Sequence, residues 1–502
     1  MSYRFNIYRK KPRGIVYMFL QQDFKGYSPR NKYDVEADAA NITKCFRKLG
    51  FWVRNPLRNF TMKQIKSRLT KAWRSRDLSE YECIFVFFIT HSPSVGQLLC
   101  RDGIFSAEEI MKIFTDDVIH PDLRKILVFQ ASHATTTEVE EEDYRATEDD
   151  AAPIALPPPG ANFFIIKSSF ELASPVESGS FFIKVLCQFM AKKFETSLFD
   201  VITAVLGVLK ANRNIYSKEG RNNILPEVAS TLLKPFRLNG KTPLNLPCYE
   251  HKESMGKLVV FNYNYNSDGW MNATIDLREG TKVDVARIKI SFESIGFKVE
   301  INDDLRADEV RKTLEKGSKC REPSCKSKKC GLRHKGDAPA DYSKDTCAAI
   351  AVLSHGYENH FRTIDEIFNV TNALSKLIMM EQNEERKDLS GKPKVLFQQV
   401  CREKSEQNIQ QLQFDDTLIF HCCFPGYESN RDPTEGSWFI QKLCKIIDRI
   451  PHSKPLSMTD ILQEVQRRFV EKYGSEQMPV IYSTLTKNLI IKKAPPKYLA
   501  RL

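Results

Sequence analysis

No apolar run of about 18 residues occurs in the 502-residue sequence, and a transmembrane helix needs roughly that length. Residues 1–11 are partly basic but lack the apolar segment of a secretory signal, so we expect no signal peptide. The sequence is also too apolar for a disordered chain, because 42% of its residues are apolar. These absences predict a protein without membrane spans that buries substantial cores.

Thirteen cysteines are scattered along the chain rather than grouped into a short disulfide framework. In a long chain without a secretory signal this usage is typical of free thiols in a reducing compartment, so we expect a cytoplasmic protein. The net charge of +12 is compatible with acidic partners, nucleic acid among them. Lysines dispersed over solvated helix faces explain the same charge without any partner.

The strongest internal signal is self-similarity between the two halves of the sequence. Asp38 and Phe51 recur as Asp284 and Phe297, at a shift of 246 positions. The matching blocks keep their order and the shift changes only between them, as in homologous domains whose loops differ in length. Further matched positions are His91 with His355, Ser132 with Cys401, Gly179 with Gly436, and Ser230 with Ser483.

The repeat predicts two domains of the same kind. The first covers residues 14–238 and the second covers residues 258–492. A linker that contains proline and glycine joins them at 239–257. A short segment, 1–13, precedes the first domain, and a tail, 493–502, follows the second.

Each copy alternates short apolar runs with amphipathic segments. The runs at 348–353 and 395–397 have the composition of strands buried on both faces. Between them, residues 363–381 carry apolar side chains at helical spacing. This alternation predicts an α/β fold with a largely parallel sheet. His355 and Cys401 then follow the C-terminal ends of two strands, where open α/β sheets hold their active sites.

The second half contains a His-Gly pair at 355–356 and a Gln-x-Cys-Arg motif at 399–402. A cysteine peptidase needs a thiolate, a histidine that returns the proton, and backbone donors for the oxyanion. With a histidine 46 residues before the cysteine, the sequence resembles the caspase family, and it does so along both halves. The resemblance implies that Cys401 is the nucleophile and that His355 shuttles the proton. It also implies that the Gly356 and Cys401 amides form the oxyanion hole.

Caspases resemble one another in cutting after Asp, which implies a carboxylate pocket of two arginines and a glutamine. Arg278 opens a segment that matches the family's R-x-G-T-x-V-D block, and Arg431 follows a matching Phe-Pro-Gly segment. Gln399 stands two residues before the nucleophile. A planar guanidinium suits a carboxylate better than a point charge does. Two positions depart from the family pattern: Glu403, where glycine is usual, and Asn430, where an aromatic is usual.

The first domain keeps the sequence blocks of the scaffold but lacks several of the residues that catalysis and substrate binding need. His91 and Gln130 are retained, whereas Ser132 replaces the cysteine and Ser92 replaces the oxyanion glycine. Lys32 stands at the position of the first specificity arginine. Because an unassisted hydroxyl is a far poorer nucleophile than a thiolate, we predict that the first domain is a pseudoprotease.

Caspases also resemble one another in acting as dimers of six-stranded, mostly parallel sheets flanked by helices, paired through their final strands. The corresponding segments here are 227–232 and 480–485. An unpaired edge is a liability, so we expect these strands to pair antiparallel within one chain, as a sheet of about twelve strands. The first domain would then be a built-in dimer partner. A decayed duplicate, a decoy that binds other caspases, and dimerisation between chains are the alternatives.

In this family the loop after the nucleophile is the site of processing. The first-domain loop, 134–160, is acidic and then proline-rich, a composition that stays disordered. Within it, Asp150 ends a Thr-Glu-Asp-Asp sequence suited to Asp-directed cleavage. The second-domain counterpart is shorter and ends at Asp416. Asp150 and Asp416 are therefore candidate processing sites.

The second domain has an insertion at about 318–340 that contains cysteine and histidine at zinc-ligand spacing. The segment is similar to CCCH zinc fingers, some of which bind RNA, and it is rich in lysine. Aromatic side chains that would stack on bases are absent from it, so RNA binding is not expected. A basic loop with incidental cysteines is the alternative to zinc. The candidate ligands are Cys320, Cys325, Cys330 and His334.

Together these motifs predict an Asp-directed cysteine endopeptidase in apoptosis or related signalling. It would act on protein substrates and need no cofactor for catalysis. The alternative is a non-catalytic regulator that binds other caspases, with Glu403 silencing the second domain. A nucleic-acid-binding protein that uses the Cys₃His segment is a third hypothesis.

If the four ligands close around a structural zinc, about one zinc ion per chain should co-purify with the protein. Chelation should loosen the insertion without unfolding either domain, because the ligands lie outside both predicted sheets. Chelation should not affect the hydrolysis of peptides. Metal analysis and limited proteolysis check this prediction, and a metal-free protein of full stability would contradict it.

Overall fold

The structure is a computed structural model, in which the described residues form one large sheet covered by helices on both faces. It describes residues 12–493 except 30–33, 94–96, 116–118, 137–161, 171–178, 193, 214–224, 266–276, 315–341, 358–359, 370–388, 390, 403–413, 425 and 475–476.

Each half of the chain contributes six strands to the central sheet. The strands of the first half are β1 (Gly14–Leu20), β2 (Trp52–Val53), β3 (Cys83–Ser92), β4 (Arg124–Thr136), β5 (Phe163–Phe170) and β6 (Glu227–Ser230). Those of the second half are β7 (Ser254–Asn262), β8 (Phe297–Asp303), β9 (Asp345–Leu353), β10 (Lys394–Gln399), β11 (Thr417–His421) and β12 (Val480–Ser483).

The strand order is β2-β1-β3-β4-β5-β6-β12-β11-β10-β9-β7-β8, so the second half repeats the order of the first in reverse. Within each half the first five strands are parallel and the last is antiparallel to its neighbour. Two short strands, Tyr27–Pro29 and Leu57–Arg58, pair with β4 and β1 and bring the sheet to fourteen strands. The predicted α/β fold with a mostly parallel sheet is confirmed.

The two half-sheets meet through β6 and β12, which pair antiparallel as the sequence predicts. The register places Val228 opposite Ser483, Ala229 opposite Tyr482, and Ser230 opposite Ile481. All residues of both strands are buried. Each final strand therefore has neighbours on both sides, and the sheet continues from one half into the other.

Nine helices are described. They are α1 (Val35–Lys48), α2 (Met62–Trp73), α3 (Ala107–Lys112), α4 (Phe181–Ala191), α5 (Leu198–Ala211), α6 (Thr281–Ser294), α7 (Ala307–Leu314), α8 (Trp438–Asp448) and α9 (Met458–Tyr473). None of the helices in this described part of the chain is long and apolar enough to cross a membrane.

Alternate residues of the strands belong to two apolar layers, one on each face of the sheet, because successive side chains of a strand point to opposite faces. One layer joins residues such as Val16 and Phe420 with α1, α4, α5, α6, α8 and α9. The other joins residues such as Tyr17 and Ile350 with α2, α3 and α7. Both layers include residues of β6 and β12, so each core is continuous across the two halves.

Among the described residues, five small antiparallel sheets are separate from the large one. They pair Gln97–Cys100 with Gly103–Ser106, Glu195–Ser197 with Arg237–Asn239, Arg431–Asp432 with Gly436–Ser437, and Leu456–Ser457 with Ile490–Ile491, and the fifth joins Gly356–Tyr357, His360–Arg362 and Ile367–Asn369.

Two sequence-based expectations about local structure are wrong. Residues 363–369, predicted to be helical, contain a turn and the strand Ile367–Asn369, while 370–381 lies outside the described residues. Thr363 explains the difference, since its hydroxyl bonds to the carbonyl of Glu366 at 2.7 Å and competes with a helix. In addition, β7 begins at Ser254, inside the segment predicted to be the linker.

Candidate active site

The ends of two neighbouring parallel strands position His355 and Cys401. Strands β9 and β10 are paired as far as Leu353 and Gln399, and each ends at that point. The Ser354 amide then donates to the Gln399 carbonyl at 3.2 Å. Since His355 and Cys401 each follow two residues later, they emerge at the same edge of the sheet. This is the placement predicted from the apolar runs.

His355 is held by aromatic packing. Its ring stacks on Tyr265, with the centroids 5.5 Å apart and the planes 25° from parallel. The Tyr265 hydroxyl is hydrogen-bonded to Ser354 Oγ at 2.7 Å and donates to the Arg362 carbonyl at 2.8 Å. The Arg362 amide in turn donates to the His355 carbonyl at 2.8 Å. The histidine is therefore fixed through both its ring and its backbone.

Gly356 lies where a side chain has no space. A Cβ there would come within 3 Å of the His360 carbonyl oxygen and of the Val400 side chain, which precedes Cys401. Any larger residue must displace the hairpin or the cysteine loop. The glycine that sequence reasoning assigns to the oxyanion hole thus also has a packing role.

Cys401 is half-buried, and its Sγ lies 3.5 Å from both the amide nitrogen and the hydroxyl of Ser429. An N–H donor to sulfur stabilises negative charge on it. Burial instead raises the pKa of Cys100 to about 11 and that of Cys444 to about 12, so those thiols stay protonated. Among the described cysteines only Cys401 and Cys248 reach solvent.

The Arg278 guanidinium is almost completely buried and lies near other charged groups of the site. Its Nη1 donates to the Tyr263 carbonyl at 3.1 Å, whereas its buried Nε has no hydrogen-bond partner within the described residues. Burial, together with repulsion from Arg431, lowers the pKa of Arg278 to about 10, while Cys401 has the opposite influence. The structure thus brings the two predicted specificity arginines and the cysteine within electrostatic range.

Gln399, the third residue assigned to substrate binding, is buried at the end of β10. Its Oε1 has no hydrogen-bond partner in the part of the chain that the structure describes. A buried polar atom without a partner is costly, and this acceptor lacks a donor among the described residues.

The R-x-G-T-x-V-D segment, residues 278–284, contacts the hairpin 431–437 that carries Arg431. Gly280 adopts φ +81°, and a Cβ there would come within 3 Å of the Asp432 and Pro433 carbonyl oxygens. Asp284 accepts from the Ser437 amide at 2.8 Å and from its hydroxyl at 2.6 Å. The segment therefore supplies one arginine and fixes the hairpin that carries the other.

The first half retains the same structural clamp. Asp38 accepts from the Ser180 amide at 2.8 Å, and Gly179, at φ +80°, leaves space that the Asp38 carboxylate fills. Burial raises the pKa of Asp38 to about 7. These residues match Asp284, Ser437 and Gly436 in the repeat, so the clamp belongs to the shared scaffold rather than to the chemistry.

The corresponding catalytic position of the first half lies inside the sheet. Ser132 pairs with His91 of β3 on one side and with Phe170 of β5 on the other, and β4 continues to Thr136. Ser132 and His91 are each 2% exposed, and Gln130 is completely buried. In the second half, by contrast, β10 ends before Cys401. Lys32 lies outside the described residues.

Asp416 is not presented for cleavage, contrary to the sequence-based assignment. Its side chain is 2% exposed, accepts from the Tyr249 hydroxyl at 2.6 Å and the Thr486 hydroxyl at 2.5 Å, and pairs with Lys210. Although burial raises the pKa of Asp416, Lys210 and these donors outweigh it, so the net shift is downward. Asp150 lies outside the described residues.

The four candidate zinc ligands also lie outside the described residues. Within the described ranges, no group of three or more His, Cys, Asp or Glu side chains could hold a metal. Sequence reasoning missed Tyr265 and Ser429. They come from loops distant in sequence from His355 and Cys401, and no pairwise spacing marks them.

The fold and the Cys–His placement define an α/β protein of the cysteine-peptidase class. A sequence profile described as the caspase domain matches residues 13–237, 255–330 and 336–490, and the chain belongs to that family.

Individual relatives each align with about half of this chain. Caspase-6 of Gallus gallus is 26% identical over 285 residues, covering 48% of this chain and 83% of its own length. Caspase-3 of Xenopus laevis is 28% identical over 255 residues, covering 47% of this chain and 79% of its own length. The crystal structure of caspase-1 from Spodoptera frugiperda is 23% identical, with a TM-score of 0.39, and covers 50% of this chain and 98% of its own.

The clamp carboxylate predicts a pH effect on stability. With a native pKa of about 7 against an ordinary 3.8, Asp38 keeps a proton between about pH 4 and 7 that the unfolded chain releases. The free energy of unfolding should therefore fall as pH rises through this window. Asp38→Asn keeps a hydrogen-bond acceptor and cannot ionise. The free energy of unfolding of this variant, relative to that of the wild type, should therefore be higher at pH 8 than at pH 4, by at most a few kcal/mol.

Urea unfolding between pH 4 and 8 measures this difference. Asp122→Asn, at an exposed carboxylate of the same half, is the matched control and should leave the wild-type profile unchanged. If the unfolding free energies of the wild type and Asp38→Asn change with pH in parallel, Asp38 is ionised between pH 4 and 8 and the prediction is wrong.

Proposed function

We propose that the second half is an Asp-directed cysteine endopeptidase and that the first half is its non-catalytic partner. The single observation that carries the proposal is the half-exposed Cys401. It is hydrogen-bonded to Ser429, follows the same sheet edge as His355, and lies within electrostatic range of the buried Arg278. In this proposal the first domain covers 14–238, the second runs from the start of β7 to residue 492, and the enzyme acts in apoptosis or related signalling.

In the proposed reaction the Cys401 thiolate attacks the carbonyl carbon of the scissile peptide bond. The Gly356 and Cys401 amides donate to the oxyanion, where preorganised N–H groups stabilise the developing charge. His355 then gives its proton to the leaving amine, and water hydrolyses the resulting thioester. Stacking on Tyr265 restricts the histidine to orientations compatible with this transfer.

The specificity pocket is proposed to hold an Asp carboxylate between Arg278, Arg431 and Gln399. The lowered pKa of Arg278 reflects burial and a second positive charge nearby, and a carboxylate would offset both. Its Nε is buried without a hydrogen-bond partner among the described atoms, which leaves a donor for that carboxylate. A neutral side chain would leave buried charge unpaired, so the same pocket rejects it.

The first half contacts one end of the segment that follows the nucleophile through β12 and the other end directly. At the first end, the buried Arg402 lies 3.5 Å from the hydroxyl of Tyr482, which pairs with Ala229 of β6. At the other end, Arg213 of α5 forms an ion pair with Asp415 at 2.7 Å.

Two further contacts join the halves at this place. Lys210 of α5 pairs with Asp416, and Gln466 of α9 donates to the Ser230 carbonyl at 2.7 Å. These contacts support a built-in partner that orders the catalytic loop. A decayed duplicate would not need them.

A non-catalytic regulator that binds other caspases is the second candidate. The sequence feature that favours it is Glu403, which lies outside the described residues, and a second departure from the family pattern is Asn430, where an aromatic is usual. Its amide and side chain both donate to Gln477 Oε1, at 2.7 and 3.3 Å. This arrangement makes the region beside Arg431 more polar than the family pattern implies.

Turnover of Asp-containing peptides by the purified chain distinguishes the two candidates. Cys401→Ala should abolish it, because no other described thiol occupies the site, whereas Ser132→Ala should leave it unchanged. Arg278→Gln should remove about 2–5 kcal/mol of transition-state binding, which is about 30- to 5,000-fold in kcat/KM.

A matched peptide with Asn in place of Asp tests whether the pocket recognises the carboxylate. Arg278→Gln should reduce the difference in kcat/KM between the two peptides. Equal losses in Cys401→Ala and Ser132→Ala would contradict the division of labour. A wild-type chain that binds such peptides but never cleaves them would favour the regulator.

A further inference from the structure

A cavity of about 140 Å³ lies at the outer edge of the first half, away from the proposed active site. It is bounded by β1, by the edge strand β2 and its following residue, and by α2. The side chains that matter here are those of Tyr17, Trp52, Arg54, Arg68, Lys71 and Ser75.

Three cationic side chains line this edge cavity. Arg54 comes from the end of β2, while Arg68 and Lys71 are three residues apart on α2 and so share one helix face. The Arg54 guanidinium carbon lies 3.7 Å from the centroid of the Trp52 ring, and that of Arg68 lies 5.8 Å from the centroid of Tyr17. The aromatic faces hold both guanidinium groups at the cavity wall.

These three cations are only partly compensated. The Nε atoms of Arg54 and Arg68 are buried without hydrogen-bond partners among the described atoms. No ion pair involves Arg54, Arg68 or Lys71 within the described ranges. The lining also includes the carboxylate of Asp77, which is exposed and offsets one of the three charges.

The second half shows that the fold does not require this charge. At the shift of 246, Arg54 corresponds to Glu300 in β8, and Glu300 forms an ion pair with Lys257 of β7. The same edge position is thus neutralised in one half and left positive in the other. A cation whose matching position in the other repeat is a paired glutamate indicates a ligand rather than a need of the fold.

We propose that this edge cavity binds the phosphate group of a small molecule. The two guanidinium groups in the lining present planar donors that suit phosphate oxygens, and Lys71 adds a point charge. The volume is well below the roughly 300–1,000 Å³ of pockets that enclose a drug-sized ligand. The cavity therefore encloses the phosphate, and the remainder of the ligand lies outside, near the exposed Trp52.

Isothermal titration calorimetry of the full chain at constant ionic strength tests the proposal with inorganic phosphate, AMP and adenosine. We expect saturable binding of one phosphate or AMP per chain and no binding of adenosine. Tighter binding of AMP than of phosphate identifies a phosphorylated small molecule as the ligand, and equal binding identifies free phosphate. Arg54→Gln and Arg68→Gln should each weaken binding about tenfold or more.

Arg74→Gln is the matched control, because Arg74 is exposed at the end of the same helix and does not line the cavity. Hydrogen–deuterium exchange of the wild-type chain is a second readout that does not depend on variant folding, with protection by phosphate expected at 52–54 and along α2. Absence of saturable binding, equal binding in all three variants, or no protection would each overturn the proposal. Peptidase activity is not a readout, so this result and the proposed function are tested separately.

Discussion

The antiparallel pairing of β6 with β12 is the interaction on which the rest of the structure depends. Three residue pairs, buried on both strands, join two six-stranded sheets into one. Both apolar layers cross this junction, so neither half can expose its final strand without opening two cores. An edge that caspases cover with a second molecule is covered here by the same chain.

The two halves preserve the same scaffold and differ at the strand that carries the nucleophile position. The Asp38 and Asp284 clamps, with their positive-φ glycines, keep the same geometry in both. In the first half β4 continues through Ser132 and buries it between two strands. In the second half β10 ends at Gln399, which leaves Cys401 half-exposed. The position at which this strand ends thus accounts for the difference in exposure between Ser132 and Cys401.

Much of the fold was predictable because its signals are local or repeated. Short apolar runs specify β9 and β10, and the internal repeat specifies which strands correspond and which edges must meet. The contacts of Tyr265 and Ser429 were not predictable, since both residues approach the site from distant loops. The burial of Asp416 has the same origin, because its partners Lys210 and Tyr249 lie about 170 to 200 residues earlier. The helical spacing at 363–369 was overridden by the side-chain turn of Thr363.

If one chain is a complete catalytic unit with one active centre, an Asp-containing peptide electrophile should label it once, on Cys401. Intact-mass spectrometry counts the adducts while sedimentation reports the oligomeric state. We expect the adduct to form in the monomer, at a rate per chain that does not change with protein concentration. An adduct that forms only in dimers of the chain, or one found on another cysteine, would contradict this expectation.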